Sequence, residues 1–204
     1  MRVIGGSARG MRLNLVPGEG TRPILDRVKT ALFDILRPRL EGMHVLDLFA
    51  GSGGVGIESL SQGAEFCTFN DRARKAALTI RKNLEVTGFV DRAEVRNGDA
   101  FSLLKETDKV FDLIYVAPPQ YEGLWEQAMA IIDNRPTLVR APTPGENEDV
   151  LKGLVIVQID PKEYHPLTLK NFGEIRQTRY GNTLLIFYES GVADEPSDTQ
   201  AEED

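Results

Sequence analysis

"VLDLFAGSGGVGIE", residues 45–58, is the stretch of sequence that decides the fold. It begins as an apolar strand, and the glycines at positions 51, 53 and 56 satisfy the pattern G-x-G-x-x-G before a helical segment. Glycines at such a turn allow a tight bend and a close approach of the backbone to a ligand. We therefore expect a ligand at the carboxyl end of this strand, where open α/β sheets place their sites.

The segments around this stretch alternate between strand and helix patterns. Further predicted strands are "EFCTFND", "AEVRNGD", "FDLIYVA" and "GLVIVQID", and the hairpin "FGEIRQTRYGNTLLIFYE" adds two more around Gly181-Asn182. Helical spacing predicts helices from Leu25 and over residues 72–87 and 122–133, whereas residues 134–150 are predicted to be an insertion or loop. The pattern predicts an α/β fold, a doubly wound and mostly parallel seven-stranded sheet, preceded by a small N-terminal β-hairpin and helix.

Charge divides the chain of 204 residues into three regions. Residues 1–40 carry eight Lys and Arg against three Asp and Glu, and they form the predicted hairpin and helix. Residues 41–190 form the predicted central domain, and residues 191–204 are predicted to be an acidic, disordered tail. The basic N-terminal region is a candidate surface for a polyanion, although a solvated face explains the charge equally well.

The composition also limits the cellular context. Cys67 is the only cysteine, which excludes an intrachain disulfide and fits a reducing compartment. No apolar run is long enough to span a bilayer, and "MRVIGGSARG" lacks the apolar stretch of a secretory signal. We therefore expect a cytoplasmic protein that binds no membrane, or one in an organellar stroma if a transit peptide has been removed. His44 and His165 lie far apart, so no metal site is expected.

Three acids follow three consecutive predicted strands and indicate the kind of ligand. Asp47 precedes the glycine turn, where a carboxylate is poorly suited to a diphosphate and well suited to the ammonium and sulfonium of S-adenosylmethionine. Asp71 lies near the spacing expected for a ribose-binding acid, and Asp99 with the Ala100 N–H can recognise an adenine. Each acid also has a structural interpretation, as a helix cap or a buried hydrogen-bonding residue.

With these residues assembled, the chain resembles the RsmD family of class I S-adenosylmethionine-dependent methyltransferases. The resemblance rests on "GGSARGMRL", "GTRPILDRVKTALFDIL", "LDLFAGSGGVGIESLSQGA", "NGDAFSLL" and "FDLIYVAPPQY". It implies methylation of the exocyclic N2 of a guanine in small-subunit ribosomal RNA. The candidate cofactor-binding residues are Asp47, Phe49, Ala50, Gly51, Ser52, Gly53, Asp71, Arg72, Asp99 and Ala100.

The same resemblance implies that RNA meets the N-terminal region. The Thr-Arg-Pro element of the family matches Thr21, Arg22 and Pro23, and a predicted helix bearing Arg27 follows it. The candidate phosphate-binding residues are Arg9, Arg12, Arg22 and Arg27, although a surface salt bridge is at least as good an explanation for any one of them. The expected partner is ribosomal RNA or the small ribosomal subunit, and the chain is expected to be a monomer.

The loop after the fourth predicted strand departs from the family pattern of Asp or Asn, two prolines, and Tyr or Phe. The family's acidic or amide side chain holds the target amine together with a proline carbonyl, and its aromatic ring stacks on the flipped base. The candidate catalytic residues here are Ala117, Pro118, Pro119, Gln120 and Tyr121. Ala117 supplies no side-chain acceptor, Gln120 takes the aromatic position, and Tyr121 comes one residue late. Trp125 nearby is predicted to pack against the core.

Alternative functions stay open at this point. Ala117 is compatible with a relative that binds the cofactor and RNA but methylates weakly or not at all. Double-proline loops also occur in methyltransferases that act on another base or on a protein amide. A nicotinamide-dependent dehydrogenase is the least favoured alternative, because no catalytic His or Lys is indicated and Asp47 is badly placed for a diphosphate.

Overall fold

The computed structural model describes residues 1–18, 24–141 and 153–191. Its seven-stranded sheet has the order β3-β2-β1-β4-β5-β7-β6. Strands β1 to β5 are parallel to one another, and β7 lies antiparallel to both β5 and β6. The strands are β1 His44–Asp47, β2 Phe66–Asp71, β3 Ala93–Asn97, β4 Leu113–Val116, β5 Leu154–Ile159, β6 Phe172–Tyr180 and β7 Thr183–Ser190. The predicted doubly wound sheet is therefore confirmed.

Helices cover both faces of this sheet. They are α1 Asp26–Leu36, α2 Gly54–Ser61, α3 Arg74–Thr87, α4 Ala100–Glu106 and α5 Leu124–Asn134. Helices α1, α2 and α3 bury their apolar residues against one face, and α4 and α5 pack against the other. Helix α3 illustrates this packing, because Ala76, Ile80 and Leu84 form a buried stripe at helical spacing. Gly88 ends the helix with a positive φ of 76°.

The N-terminal segment is less regular than predicted. In place of two strands it contains one antiparallel bridge, Arg2 with Arg12, supported by backbone hydrogen bonds such as Val3 N–H to Met11 O. The chain turns at Gly6 and Gly10, where φ is positive. Glycine-rich turns leave few residues on each side to extend the ladder, so the segment is held by packing more than by strand pairing.

A buried ion pair fastens the N-terminal segment to the rest of the fold. The ammonium of Lys29 on α1 lies 3.0 Å from the carboxylate of Glu58 on α2, and both side chains are fully buried. Lys29 also donates to the backbone oxygen of Arg2, and Glu58 accepts from the N–H groups of Ile4 and Gly5. One polar cluster therefore joins the first residues of the chain to two helices.

The strand order places a crevice at the centre of the sheet. Strand β1 lies between β2 and β4, so the chain runs outward from β1 in both directions. At such a switch point the loops after neighbouring strands diverge to opposite faces and leave a cleft at their carboxyl ends. The loops after β1, β2, β3 and β4 all begin at this edge, and the candidate cofactor-binding and catalytic residues lie in these loops or at the ends of the strands before them.

Gly56 shows how tightly the glycine turn is packed. A Cβ atom on Gly56 would lie 2.2 Å from a ring carbon of Phe69 and 2.6 Å from the sulfur of Cys67, both in β2. We expect Gly56→Ala to lower the free energy of unfolding by about 2 kcal/mol, because overpacking forces the helix off the sheet. Urea unfolding measures this. Gly98→Ala is the matched control, since its Cβ would meet only Asn70 at 3.8 Å; equal stability of the two variants would contradict the expectation.

Candidate active site

A cavity of about 680 Å³ opens at the carboxyl ends of β1, β2, β3, β4 and β5. This volume is within the range of small-molecule sites, roughly 300–1,000 Å³. Most of the predicted cofactor-binding residues line it: Asp47, Phe49, Ala50, Gly51, Ser52, Asp71, Arg72, Asp99 and Ala100. Gly53 does not line it. A Cβ on Gly53 would meet side chains of Ile57, Ile80 and Phe69, so this glycine lies behind the turn and permits packing.

The glycine turn is held open by a neighbouring carboxylate. Gly51 has a φ of 55°, a left-handed conformation that favours glycine. Its N–H donates to the carboxylate of Asp71 over 2.8 Å, and the other carboxylate oxygen of Asp71 accepts from the N–H of Ala73. Asp71 therefore links the turn after β1 to the turn after β2, which is a structural role, while its side chain also borders the cavity.

Asp47 is a buried carboxylate without a cation beside it. Only 2% of the residue is exposed, and its carboxylate accepts from the N–H of Gly56 over 3.0 Å, within the first turn of α2. Burial raises the pKa of the Asp47 carboxyl to about 7; the hydrogen bond from Gly56 opposes the rise, and the charge of Asp71 adds to it. In the described ranges no ion pair includes Asp47. Above pH 7 the site thus offers a negative charge to a cationic ligand.

Asp99 combines the two roles that the sequence left open. Its carboxylate accepts from the N–H of Ser102 over 2.8 Å, so it is the N-cap of α4. It also lines the cavity with its neighbour Ala100. A carboxylate has about four lone-pair positions, so one cap hydrogen bond leaves acceptor capacity for a ligand. The cap and the ligand interpretations are compatible for this residue.

The loop after β4 forms the opposite side of the cavity. Ala117, Pro118, Pro119 and Gln120 line it, whereas Tyr121 does not. Tyr121 is 64% exposed and has a φ of 62°, which is unusual for a residue with a side chain.

Two acids of the loop after β5 fix this outward conformation of Tyr121. Its N–H donates to Glu163 over 2.6 Å and its hydroxyl hydrogen-bonds with Asp160, which together turn the ring away from the cavity. Farther along, Trp125 is 1% exposed and belongs to the core, as predicted.

Four polar residues of the cavity were missed by the sequence analysis. They are Asn70 in β2, Tyr115 in β4, Gln158 in β5 and Thr183 in β7. The hydroxyl of Tyr115 donates to the side-chain oxygen of Gln158 over 2.6 Å. One signal was available: Gln158 is a polar residue inside the otherwise apolar "GLVIVQI", and a polar side chain in a buried strand needs a partner.

The candidate RNA-binding residues are only partly described. Thr21, Arg22 and Pro23 lie outside the described residues, as do the predicted acidic tail from residue 192 onward and residues 142–150 of the predicted loop. Arg9, Arg12 and Arg27 are exposed, and within the described residues none of them forms an ion pair. The Arg27 guanidinium lies against the β6–β7 turn, 3.0 Å from where a Cβ of Gly181 would be.

Two kinds of feature are absent from the part of the chain that the structure describes. No helix there has the length and apolar character to cross a membrane. No group of three or more His, Cys, Asp or Glu side chains there could hold a metal ion. Cys67 is buried in β2 and contributes to the core.

Comparison with known proteins now gives the family. The model of the family described as "Conserved hypothetical protein 95" matches residues 1–189. The chain belongs to this family. A Bacillus subtilis (strain 168) protein named "Putative rRNA methyltransferase YlbH" is 36% identical over 191 residues, which cover 92% of this chain and 98% of that protein. "Ribosomal RNA small subunit methyltransferase D" of Haemophilus influenzae is 37% identical over 135 residues, 65% of this chain and 70% of that protein.

Solved structures agree with the family assignment. The structure titled "Putative methyltransferase yhhF from Escherichia coli" has a TM-score of 0.79 and 29% identity, and covers 93% of this chain and 97% of that one. The Rossmann-like class I methyltransferase fold and the resemblance to the RsmD family are therefore confirmed. As a member of the Conserved hypothetical protein 95 family, the chain is a methyltransferase.

Proposed function

We propose that this methyltransferase transfers a methyl group from S-adenosylmethionine to ribosomal RNA, at the exocyclic N2 of a guanine in the small subunit. The observation that carries the proposal is the cavity itself. It joins a buried carboxylate without a cation, Asp47, to a glycine turn on one side and a double-proline loop on the other. The names of the relatives from Bacillus subtilis and Haemophilus influenzae support ribosomal RNA as the substrate.

The residues on the cofactor side fit S-adenosylmethionine. Bound S-adenosylmethionine supplies an electrophilic methyl group on a sulfonium. Asp47 would hold its ammonium, because a buried carboxylate gains most from a cation that replaces the lost solvent. Asp71 would accept from the ribose hydroxyls, and Asp99 with the Ala100 N–H would recognise the adenine. Phe49, Ala50, Gly51, Ser52 and Arg72 would form the surrounding wall, and Gly53 would support the turn from behind.

The residues on the acceptor side would orient the target base. The Pro118 carbonyl would accept from the amine, and the two prolines fix the loop because their φ angles are restricted. Gln120 lines the cavity and offers an amide to the base. Tyr121 would stack on the base only after its hydrogen bonds to Glu163 and Asp160 break, since these hold it outside.

The N-terminal region would bind the RNA backbone. Arg9, Arg12 and Arg27 are exposed and have no carboxylate partner within the described residues, which leaves them available to phosphates. We include Thr21, Arg22 and Pro23 in this proposed surface on the basis of the sequence. We keep a monomer as the expected oligomeric state on the basis of the sequence. A ribosomal substrate and a buried single cysteine favour the cytoplasm as the compartment.

Reversing two of these charges tests the RNA surface. We expect Arg9→Glu/Arg12→Glu to raise the KM for 16S RNA or 30S subunits by about 10-fold or more with little change in kcat, because each lost phosphate contact weakens binding uniformly. Tritiated S-adenosylmethionine measures the transfer, and mass spectrometry of nuclease digests identifies the methylated nucleotide. Lys82→Glu, on the exposed surface of α3, is the control for a charge reversal elsewhere.

The same assay separates the alternatives. Cofactor binding in calorimetry without label transfer to any RNA would favour a binding relative, which the missing acceptor at Ala117 would explain. Label on a different base, or on protein, would assign the enzyme to a different substrate class. An unchanged KM in the doubly substituted variant would remove Arg9 and Arg12 from the RNA surface while leaving the reaction in place.

A further inference from the structure

Tyr115 and Gln158 form the floor of the cavity between its two halves. In the sheet register Tyr115 of β4 lies directly beside Asp47 of β1 and beside Ile156 of β5. Alternation along β5 places Gln158 on the same face as Tyr115, and Ala117, directly after the end of β4, lines the same cavity. The floor therefore runs from the cofactor-side acid, through the Tyr115 hydroxyl, to the Gln158 amide, and it passes beneath the position where Ala117 has no functional group.

The hydrogen bond within this pair decides what the floor presents to a ligand. Tyr115 has one hydroxyl proton and donates it to the Gln158 side-chain oxygen over 2.6 Å. The phenolic oxygen is left with its lone pairs, and no group within the described residues donates a hydrogen bond to it. Burial and the charge of Asp47 raise the pKa of Tyr115 well above 10, so the phenol keeps this proton. The oxygen is thus a neutral, directed hydrogen-bond acceptor on the cavity wall.

We propose that the Tyr115 hydroxyl oxygen, oriented by Gln158, accepts a hydrogen bond from the exocyclic amine that is methylated. It takes the part of the side-chain acceptor that Ala117 lacks, together with the Pro118 carbonyl. This inference rests on the proposed function. Tyr115 is then a catalytic residue because it touches the reacting nitrogen, and Gln158 is a positioning residue because it acts through Tyr115.

In the transfer that these residues assist, the methyl group moves from the sulfonium sulfur to the amine nitrogen. The amine nitrogen forms a bond to the methyl carbon while the bond from that carbon to the sulfonium sulfur breaks. The electron pair of the broken bond goes to sulfur, which becomes a neutral thioether, and the nitrogen takes the positive charge. The nitrogen then releases one proton to water. An acceptor on an N–H bond directs the lone pair toward the methyl carbon and stabilises the charge that develops on nitrogen.

Removing one oxygen atom tests the inference. We expect Tyr115→Phe to lower kcat for RNA methylation about 30-fold, the effect of one lost hydrogen bond to the transition state. The KM for RNA and the calorimetric Kd for S-adenosylhomocysteine are expected to stay within about twofold, because neither measures the transition-state contact. Tyr164→Phe is the matched control: its hydroxyl bonds Glu174 outside the cavity, and its kcat is expected to equal the wild-type value.

Two further variants report on the pair and on the missing side chain. Gln158→Leu is expected to lower kcat about 10-fold, and Tyr115→Phe/Gln158→Leu is expected to be no slower than Tyr115→Phe alone, because Gln158 acts through the hydroxyl. Ala117→Asn in the Tyr115→Phe background adds an acceptor two residues farther along the chain, directly after the end of β4. It is expected to restore kcat to within about fivefold of wild type, which a purely structural role of Tyr115 would not allow.

The possible outcomes separate this inference from the proposed function. A wild-type enzyme active on RNA and a Tyr115→Phe variant with equal kcat overturn the inference alone. A fall in kcat matched by an equal loss of cofactor affinity overturns it too, since Tyr115 would then serve cofactor binding. A wild-type chain that binds S-adenosylhomocysteine but methylates no RNA overturns both. If Tyr115→Phe unfolds below the assay temperature, Gln158→Leu is measured in its place. A kcat of Gln158→Leu equal to that of the wild type then overturns the inference.

Discussion

Asp47→Asn is expected to weaken S-adenosylmethionine binding by about 100-fold or more, since loss of a charge partner in a buried site costs roughly 3 kcal/mol or more. The same substitution is expected to stabilise the ligand-free protein above pH 7. Both effects come from one property of the site: the Asp47 carboxylate is 2% exposed and has no cation beside it in the described structure. The proposed ligand ammonium supplies that cation.

The pH dependence of stability follows from the pKa of Asp47, which burial raises from 3.8 to about 7. Between these values the folded state holds a proton that the unfolded state releases, so this carboxyl lowers the free energy of unfolding as pH rises. Well below pH 3.8 the group is neutral in both states and contributes no penalty. Above pH 7 the penalty is complete, at about 4 kcal/mol for a shift of this size. Asn carries no charge, so Asp47→Asn removes this loss of stability only at pH values above about 4, where the Asp47 carboxyl is ionised in the unfolded state.

Urea unfolding at pH 4 and pH 8, with calorimetry for the ligand, measures both effects. The gain in stability is expected to be large at pH 8 and small at pH 4, and wild-type affinity is expected to fall as pH drops from 7.5 to 5.5, because binding must then expel a proton. Asp112→Asn is the control. Asp112 is also buried but is paired with Arg140 and bonded to the His44 N–H, so its replacement is expected to destabilise. A less stable Asp47→Asn at pH 8 would contradict the interpretation.

The acids of the site were predictable because each is defined by local sequence. Asp47, Asp71 and Asp99 come at the ends of strands that the apolar pattern already marks, and parallel strands bring their carboxyl ends to one edge. The strand pattern was sufficient for the sheet as well. The N-terminal hairpin was predicted less well, since a single bridge forms where two strands were expected. Its conformation depends on packing against helices rather than on its own pairing.

The acceptor side could not be predicted because it depends on contacts between distant residues. Tyr115 and Gln158 are 43 residues apart in sequence, and their hydrogen bond requires β4 and β5 to be neighbours in a particular register. The outward conformation of Tyr121 is also set from a distance, by the carboxylate of Glu163. Strand propensity and motif spacing carry no information on either contact. The sequence therefore identifies the loop but does not define its functional groups.

Lys29→Met is expected to lower the free energy of unfolding by roughly 3–5 kcal/mol, because it leaves a buried carboxylate without its cation. Lys29 and Glu58 are fully buried and 3.0 Å apart, and Lys29 also donates to the Arg2 carbonyl. Methionine fills a similar volume, so lost charge and lost hydrogen bonds dominate the effect. Urea unfolding followed by the fluorescence of Trp125 measures it. Lys82→Met, at an exposed position of α3, is the control and is expected to change stability by less than about 0.5 kcal/mol.

A second charge change distinguishes an uncompensated charge from lost packing. Lys29→Met/Glu58→Gln removes both charges, and the Gln side-chain oxygen still accepts from the N–H groups of Ile4 and Gly5. We expect the double variant to recover about half of the stability lost in Lys29→Met, since the unpaired carboxylate is gone. Amide hydrogen exchange at Ile4 and Gly5 is expected to be fastest in Lys29→Met. If Lys29→Met costs less than about 1 kcal/mol, the pair does not anchor the N-terminal segment, and Met1 in the cavity wall must be held by apolar packing and by the hydrogen bond from the Leu13 N–H to its carbonyl.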